Sequence, residues 1–266
     1  MKFEPMSGIP KEWHQKGPMF STFFNNLSIF FPAGERFFVR SVKKHLKFVN
    51  DETLRKEVMA FCGQEGIHSR EHIRYNNMLK EQGYDIDAMD GAVEELLQFV
   101  EKVLPPRWCL AATCALEHFT ALMGEILLSN EDILDGANEK MANLWRWHAA
   151  EENEHKAVAF DVYTAAGGNY VERTGIMVVA TLIFWAKVLE YQARLMHEDG
   201  RATSPKQWLA FVDVLFRYPG LFTKLAGPYF EYYRPGFHPN DRDTRGLLDD
   251  WLASQGHAPM PTPQAA

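Results

Sequence analysis

Two copies of Glu-x-x-His, both on stretches that read as helix, constrain the fold more than any other feature of the chain. One lies in Gln64-Glu-Gly-Ile-His-Ser-Arg-Glu-His72, and the other closes Leu144-Trp-Arg-Trp-His-Ala-Ala-Glu-Glu-Asn-Glu-His-Lys156. At 3.6 residues per turn the acid and the imidazole of each copy, Glu65 with His68 and Glu152 with His155, project from one helix face. His148 stands one turn before Glu152, and His72 one turn after His68, so each stripe is longer than its motif. Such stripes are how two helices of a four-helix bundle present metal-binding groups to its core, with the other two helices supplying one carboxylate each.

Two single acids stand where those carboxylates are needed. Residues 107–128 are almost purely apolar, and Glu117 sits in their middle. A carboxylate there is costly unless it is hydrogen-bonded or bound to a metal. Glu35 follows Pro32 at the start of another helical stretch, where it also suits the positive end of a helix. The resulting order is Glu, Glu-x-x-His, Glu, Glu-x-x-His. The candidate ligands are Glu35, Glu65, His68, Glu117, His148, Glu152 and His155. His72 and Glu125 are placed beside the site or as further ligands, Glu125 as an orienter of a histidine. His118 lies off the Glu117 face, Glu151 and Glu154 face away from their stripe toward solvent, and His45 is expected at the surface.

The pattern predicts an all-α chain: a four-helix bundle with extra N- and C-terminal helices. Residues 1–31, rich in Phe, Pro and Gly, are expected as an aromatic arm outside the core. A single helical domain follows over 32–255, with bundle helices at about 33–50, 52–82, 107–128 and 137–166. Residues 85–89 read as a loop and 91–104 as a polar-faced helix packed outside the bundle. Further helices are expected at 170–198 and 205–225, the latter interrupted by Pro219-Gly220, and residues 256–266 read as a disordered tail.

Composition narrows the function classes. A net charge of −7 without a Lys/Arg run gives no footprint for nucleic acid. Cys62, Cys109 and Cys114 are odd in number and lack ligand spacing, so they read as reduced core thiols of a cytoplasmic protein. No secretory signal is evident at the N-terminus. The apolar run 175–185 ends at Lys187, short of the ~20 residues a spanning helix needs. It is expected as a buried helix, with contact to a membrane surface as the alternative. The oligomeric state is open, a homodimer included.

The segments Phe31-Pro-Ala-Gly-Glu-Arg-Phe-Phe38, Gln64 to His72, Leu116-Glu-His-Phe-Thr-Ala121 and Trp147 to His155 resemble a bacterial family of predicted metal-dependent hydrolases within the ferritin-like superfamily. The resemblance covers about residues 15–250. The ligand order is also similar to that of ferritin-like di-iron oxygenases. Among these the arylamine N-oxygenases place a third histidine where this chain has His148. The small subunit of ribonucleotide reductase carries a radical tyrosine where this chain has His72, so no radical role is expected. The resemblance implies an O2-dependent oxygenase or oxidase holding two iron ions, with Mn or Zn as alternatives. It would act on a small, partly apolar substrate and take electrons from a separate donor. A dinuclear hydrolase is the alternative, and metal sequestration a third reading.

Overall fold

A left-handed glycine followed by a proline begins the first helix. Gly17, at φ 106°, turns the chain, and Pro18, whose ring pre-sets a helical φ, opens α1 (Pro18–His45) in the computed structural model, which describes residues 6–257. The helix therefore starts fourteen residues before the expected Pro32, and the boundary at residue 31 falls inside it. Met19, Phe20, Phe23, Phe24 and Leu27 recur at three and four residues and are buried, a helical period within the segment expected as an external arm. Residues 6–17 do run irregularly, but Met6, Ile9 and Trp13 are packed inside rather than laid over the surface.

Pro32 is tolerated within α1 because α2 (Glu52–Glu81) satisfies what it disturbs. A proline in a helix removes the N–H that would bond the carbonyl four residues earlier, at a cost of about 3 kcal/mol. That carbonyl belongs to Ser28, and it accepts from Asn76 Nδ2 at 3.2 Å. Ser69 Oγ donates to the Pro32 carbonyl at 3.3 Å. Asp51 caps α2 as expected, accepting from Leu54 N at 2.8 Å.

The remaining helices are α3 (Ile86–Val103), α4 (Pro106–Ser129), α5 (Glu139–His155), α6 (Val158–Ala165), α7 (Tyr170–Glu198), α8 (Pro205–Phe216), α9 (Leu221–Glu231) and α10 (Arg245–Ser254). Among the described residues there is no strand, only one isolated bridge between His14 and Ala137. The fold is all-α, as the sequence predicts. The stretch 85–89 is not a loop, because Asp85 accepts from Ala88 N and starts α3 at once. The helix expected over 137–166 is broken after His155. Asn153 turns its amide onto the carbonyls of Ala149 and Ala121, and Lys156 turns its ammonium to the Arg242 carbonyl and the Thr244 hydroxyl. His45 is buried, with Nδ1 against the Ser41 carbonyl, because α1 closes under the next turn instead of standing in solvent. The expected tail lies outside the described residues but for Gly256 and His257.

Helices α1, α2, α4 and α5 form the bundle, with α1 packed on α2 and α4 on α5. One apolar cluster gathers Phe24, Leu27, Tyr75, Leu122 and Trp145. A second gathers Phe37, Phe61, Leu110, Cys114 and Val158. Helices α1, α2 and α4 each pass from one cluster to the other, with Glu35, the Glu65–His72 stripe and Glu117 between them; α5 leaves the first cluster and ends at the Glu152–His155 pair, and the second cluster resumes at Val158 of α6. The order of the clusters along each helix makes α1 and α5 run one way and α2 and α4 the other. The α2-to-α4 link must therefore return the chain along the bundle, and α3 does so, joined to α1 by Arg36–Glu94 and Arg40–Glu101 ion pairs.

The run 175–185 is not a buried helix. In α7 only Arg173, Met177, Val188, Tyr191, Gln192, Leu195 and Met196 are buried, while Val178, Val179, Leu182 and Ile183 face outward, Leu182 at 67% exposure. Helices α4 and α7 are both long and apolar enough to cross a bilayer, and α4 lies mostly inside the bundle.

Close contact between α4 and α5 depends on Gly124. A Cβ there would stand 2.8 Å from Asn153 Nδ2 and 2.9 Å from the Ala149 carbonyl oxygen. Gly124→Ala is therefore expected to lower stability by about 1–3 kcal/mol through overpacking. Gly175→Ala, in α7 where nothing lies within 4 Å, should raise it by up to about 1 kcal/mol. Denaturant unfolding of the two variants checks the contrast, and stabilisation by both would refute the close approach.

Candidate metal site

Seven side chains from the four bundle helices converge in the polar layer. Glu35 comes from α1, Glu65 and His68 from α2, Glu117 from α4, and His148, Glu152 and His155 from α5; none is more than 4% exposed. Donor atoms of Glu35, Glu65 and His68 lie within 4.8 Å of one another, as do those of Glu65, Glu152 and His155, and those of His68, His148 and Glu152. Glu65 Oε1 is 3.1 Å from His155 Nε2 and 3.6 Å from His68 Nδ1. Glu152 Oε1 is 3.5 Å from His68 Nδ1, and Glu117 Oε2 is 3.6 Å from His155 Nε2.

The box is rich in negative charge and poor in partners. Among the described residues, both carboxylate oxygens of Glu35, Glu65 and Glu117 lack a hydrogen bond, as do His68 Nδ1 and His155 Nε2. Buried polar atoms are rarely left so, because each costs about 1–3 kcal/mol or more when charged. The ion pairs of the described residues bring no Lys or Arg to these acids. Four carboxylates facing neutral imidazoles carry a charge that two divalent cations would cancel, and carboxylate with imidazole is a donor set suited to first-row metals. The residues fit a metal pair.

Protons share the box in the absence of such cations. Burial, with the nearby Glu65 charge, drives the Glu35 carboxyl well above its ordinary range; burial with Glu65 and Glu152 does the same to Glu117. Burial also opposes charge on Glu65 and Glu152, yet the imidazoles facing them outweigh it and hold both low. Against the same burial, the facing carboxylates of Glu152 and Glu65 push His155 up to about 10, and those of Glu151, Glu152 and Glu65 raise His68. Burial and the neighbouring His68 lower His148.

A surrounding set of bonds orients the imidazoles. His68 Nε2 meets Glu151 Oε2 at 3.0 Å, and Glu151 in turn accepts from Trp147 Nε1. His155 Nδ1 meets Gln64 Oε1 at 3.2 Å, while the Gln64 amide donates to Glu154 Oε2 at 3.0 Å. Glu151 and Glu154 are thus not simply solvated: they lie off the stripe of their own helix but within reach of side chains from α2. His72 is buried one turn from His68, bonded through Nδ1 to Ser28 Oγ at 2.9 Å and through Nε2 to His148 Nδ1 at 2.6 Å. His148 Nε2 continues to Glu152 Oε1 at 2.7 Å, and Thr120 Oγ1 donates to Glu152 Oε2.

Glu125 does not orient a histidine. It forms a bidentate pair with Arg242, whose Nε is 2.9 Å from Oε2, because the turn carrying Arg242 packs over that face of α4. His118 is buried against Tyr232 and Phe237, apart from the box, and burial lowers its pKa to about 4. The reading from sequence missed Gln64, Ser28 and Thr120. Only the demand of each imidazole for a partner on its second nitrogen hinted at such residues, and spacing along one helix cannot say which neighbour answers it.

Because a metal must displace protons from His68, His155, Glu35 and Glu117, its uptake should release protons and tighten as pH rises toward about 10, where His155 loses its own. Calorimetric titration with Zn2+ in buffers of different ionisation enthalpy measures the release. Affinity independent of pH between 5 and 8 would refute it.

No curated protein and no solved structure matches the chain. One family model does, over residues 1–243, and by that match the chain belongs to the family of predicted metal-dependent hydrolases.

Proposed function

We propose that the box holds two divalent metal ions and that the protein is a dinuclear metal-dependent hydrolase acting on a small, largely apolar substrate. The observation that carries this reading is the convergence of unpartnered carboxylate and imidazole atoms in one buried layer. Membership of the family supports the hydrolytic direction. Glu35, Glu65, His68, Glu117, Glu152 and His155 would hold the ions, with His148 as a further ligand or as the group beside them. Such ions, when bound, polarise a scissile group and acidify a water.

The chain's own residues would do the rest. Phe31, Trp145 and Met123 line an apolar pocket that reaches Thr120, His148 and Glu152, and would exclude bulk water from the reacting group. Thr120 fixes one oxygen of Glu152. His148, bonded to Glu152 through Nε2 and to His72 through Nδ1, is placed to relay a proton between the Glu152 carboxylate at the pocket floor and His72 Nε2.

A di-iron oxygenase drawing electrons from a separate donor is the second reading. It is favoured by the aromatic dryness of the pocket and by His148 one turn before Glu152, the position that resembles the arylamine N-oxygenases.

Metal analysis of Glu117→Ala should show loss of at least one ion, with affinity down tenfold or more, while the surface variant Glu95→Ala keeps about two ions per chain. His148→Ala should retain the fold and most of the metal but lose turnover. Ester or amide cleavage by the zinc-loaded protein supports the hydrolase, and O2 consumption by the reduced iron form supports the oxygenase. Wild-type protein that takes up no first-row metal would sink both readings.

A further inference from the structure

The pocket beside the box has one polar end. Thr120, His148 and Glu152 stand there, and the walls beyond are Phe24, Leu127 and Trp145, closing on Val214 of α8 and Leu221 of α9. Among the described residues no Lys or Arg lines it, so a phosphate or other anionic group would find no counter-charge from them along its length. Its volume is about 70 Å³. A second apolar pocket of similar volume shares Leu27, Phe31, Thr120 and Met123 with it and continues toward Phe38 and Phe184. The free space next to the box is therefore elongated, with a pliant methionine between its lobes.

The wall at the far end is apolar on both sides. Phe211, Val214 and Leu215 of α8 face inward, while Leu209, Val212 and Phe216 of the same helix are 66%, 47% and 53% exposed. The inner face of this helix, at the end of an apolar pocket, offers no polar group to a substrate.

From this shape we infer that the site takes an amphiphile with an unbranched apolar chain, its reacting group at Thr120, His148 and Glu152 and its tail against α8 and α9. The inference rests on the proposed function for the identity of the reacting end, but chain binding needs no metal.

Calorimetric titration of the purified protein with 1-alkanols from ethanol to hexanol, the range a cavity of this volume can seat, tests it. One site per chain should bind, with affinity rising roughly fourfold per methylene until the tail reaches α8. Val214→Trp, which fills the far end, should weaken hexanol binding at least tenfold and leave ethanol unchanged, while Leu209→Ala on the outer face changes neither. Thermal melts establish that each variant is folded, and the wild-type series decides by itself if Val214→Trp is not. Affinity that does not depend on chain length, or hexanol binding indifferent to Val214→Trp, overturns the inference; the latter result puts the alkanol on the exposed face of α8. Metal counts on the same preparations separate the two claims. Metal without chain-length dependence refutes the chain site alone, and chain-length dependence in a protein that never takes up metal refutes the hydrolase reading alone.

Discussion

Four carboxylates from four different helices meet in a layer that offers them no lysine or arginine, and the rest of the molecule is arranged around that repulsion. An uncompensated charge in such a place is among the most expensive groups a protein can bury. Here it is met partly by imidazoles and partly by protons retained on Glu35 and Glu117, an arrangement that cations, if bound, would displace. The charge that makes this layer costly to bury is the same charge that suits it to hold cations.

The layer persists because it is enclosed at both ends by close-packed apolar clusters. One clusters around Phe24, Tyr75 and Trp145, the other around Phe37, Phe61 and Val158; α1, α2 and α4 span both, and α5 runs from the first to the edge of the second, which α6 enters. This division also explains the two-sided character of His148. It belongs to the box through Glu152 and to the aromatic side through contacts with Phe31 and Trp145, so it stands where a substrate would meet the acids.

Proline at position 32 shows how the same elements fix the geometry of the site. Placed one turn before Glu35, it removes a helical hydrogen bond, and the vacated carbonyl is taken up by Asn76 of α2. Asn76 also accepts from Ser28, which meets His72, which meets His148. A defect in one helix becomes the anchor of a polar chain running through three, ending on a carboxylate of the box.

The sequence alone determined the all-α class, the helices over 52–82, 107–128 and 170–198, and the seven residues that the fold brings together. These were legible because helical periodicity is local: Glu-x-x-His shares a face whatever surrounds it, and an acid in an apolar helix demands compensation wherever that helix goes. The start of α1 was legible too, in Gly17-Pro18 and the spacing of its phenylalanines, but Pro32 is the louder local signal and its repair lies on another helix. Only tertiary structure decided that Glu151 meets His68 and Glu154 meets Gln64, that Glu125 goes to Arg242, that His45 is buried and that the apolar face of α7 looks outward. Each of those outcomes depends on which neighbour a face meets, and packing between helices, unlike periodicity along one, is not written in the spacing of residues.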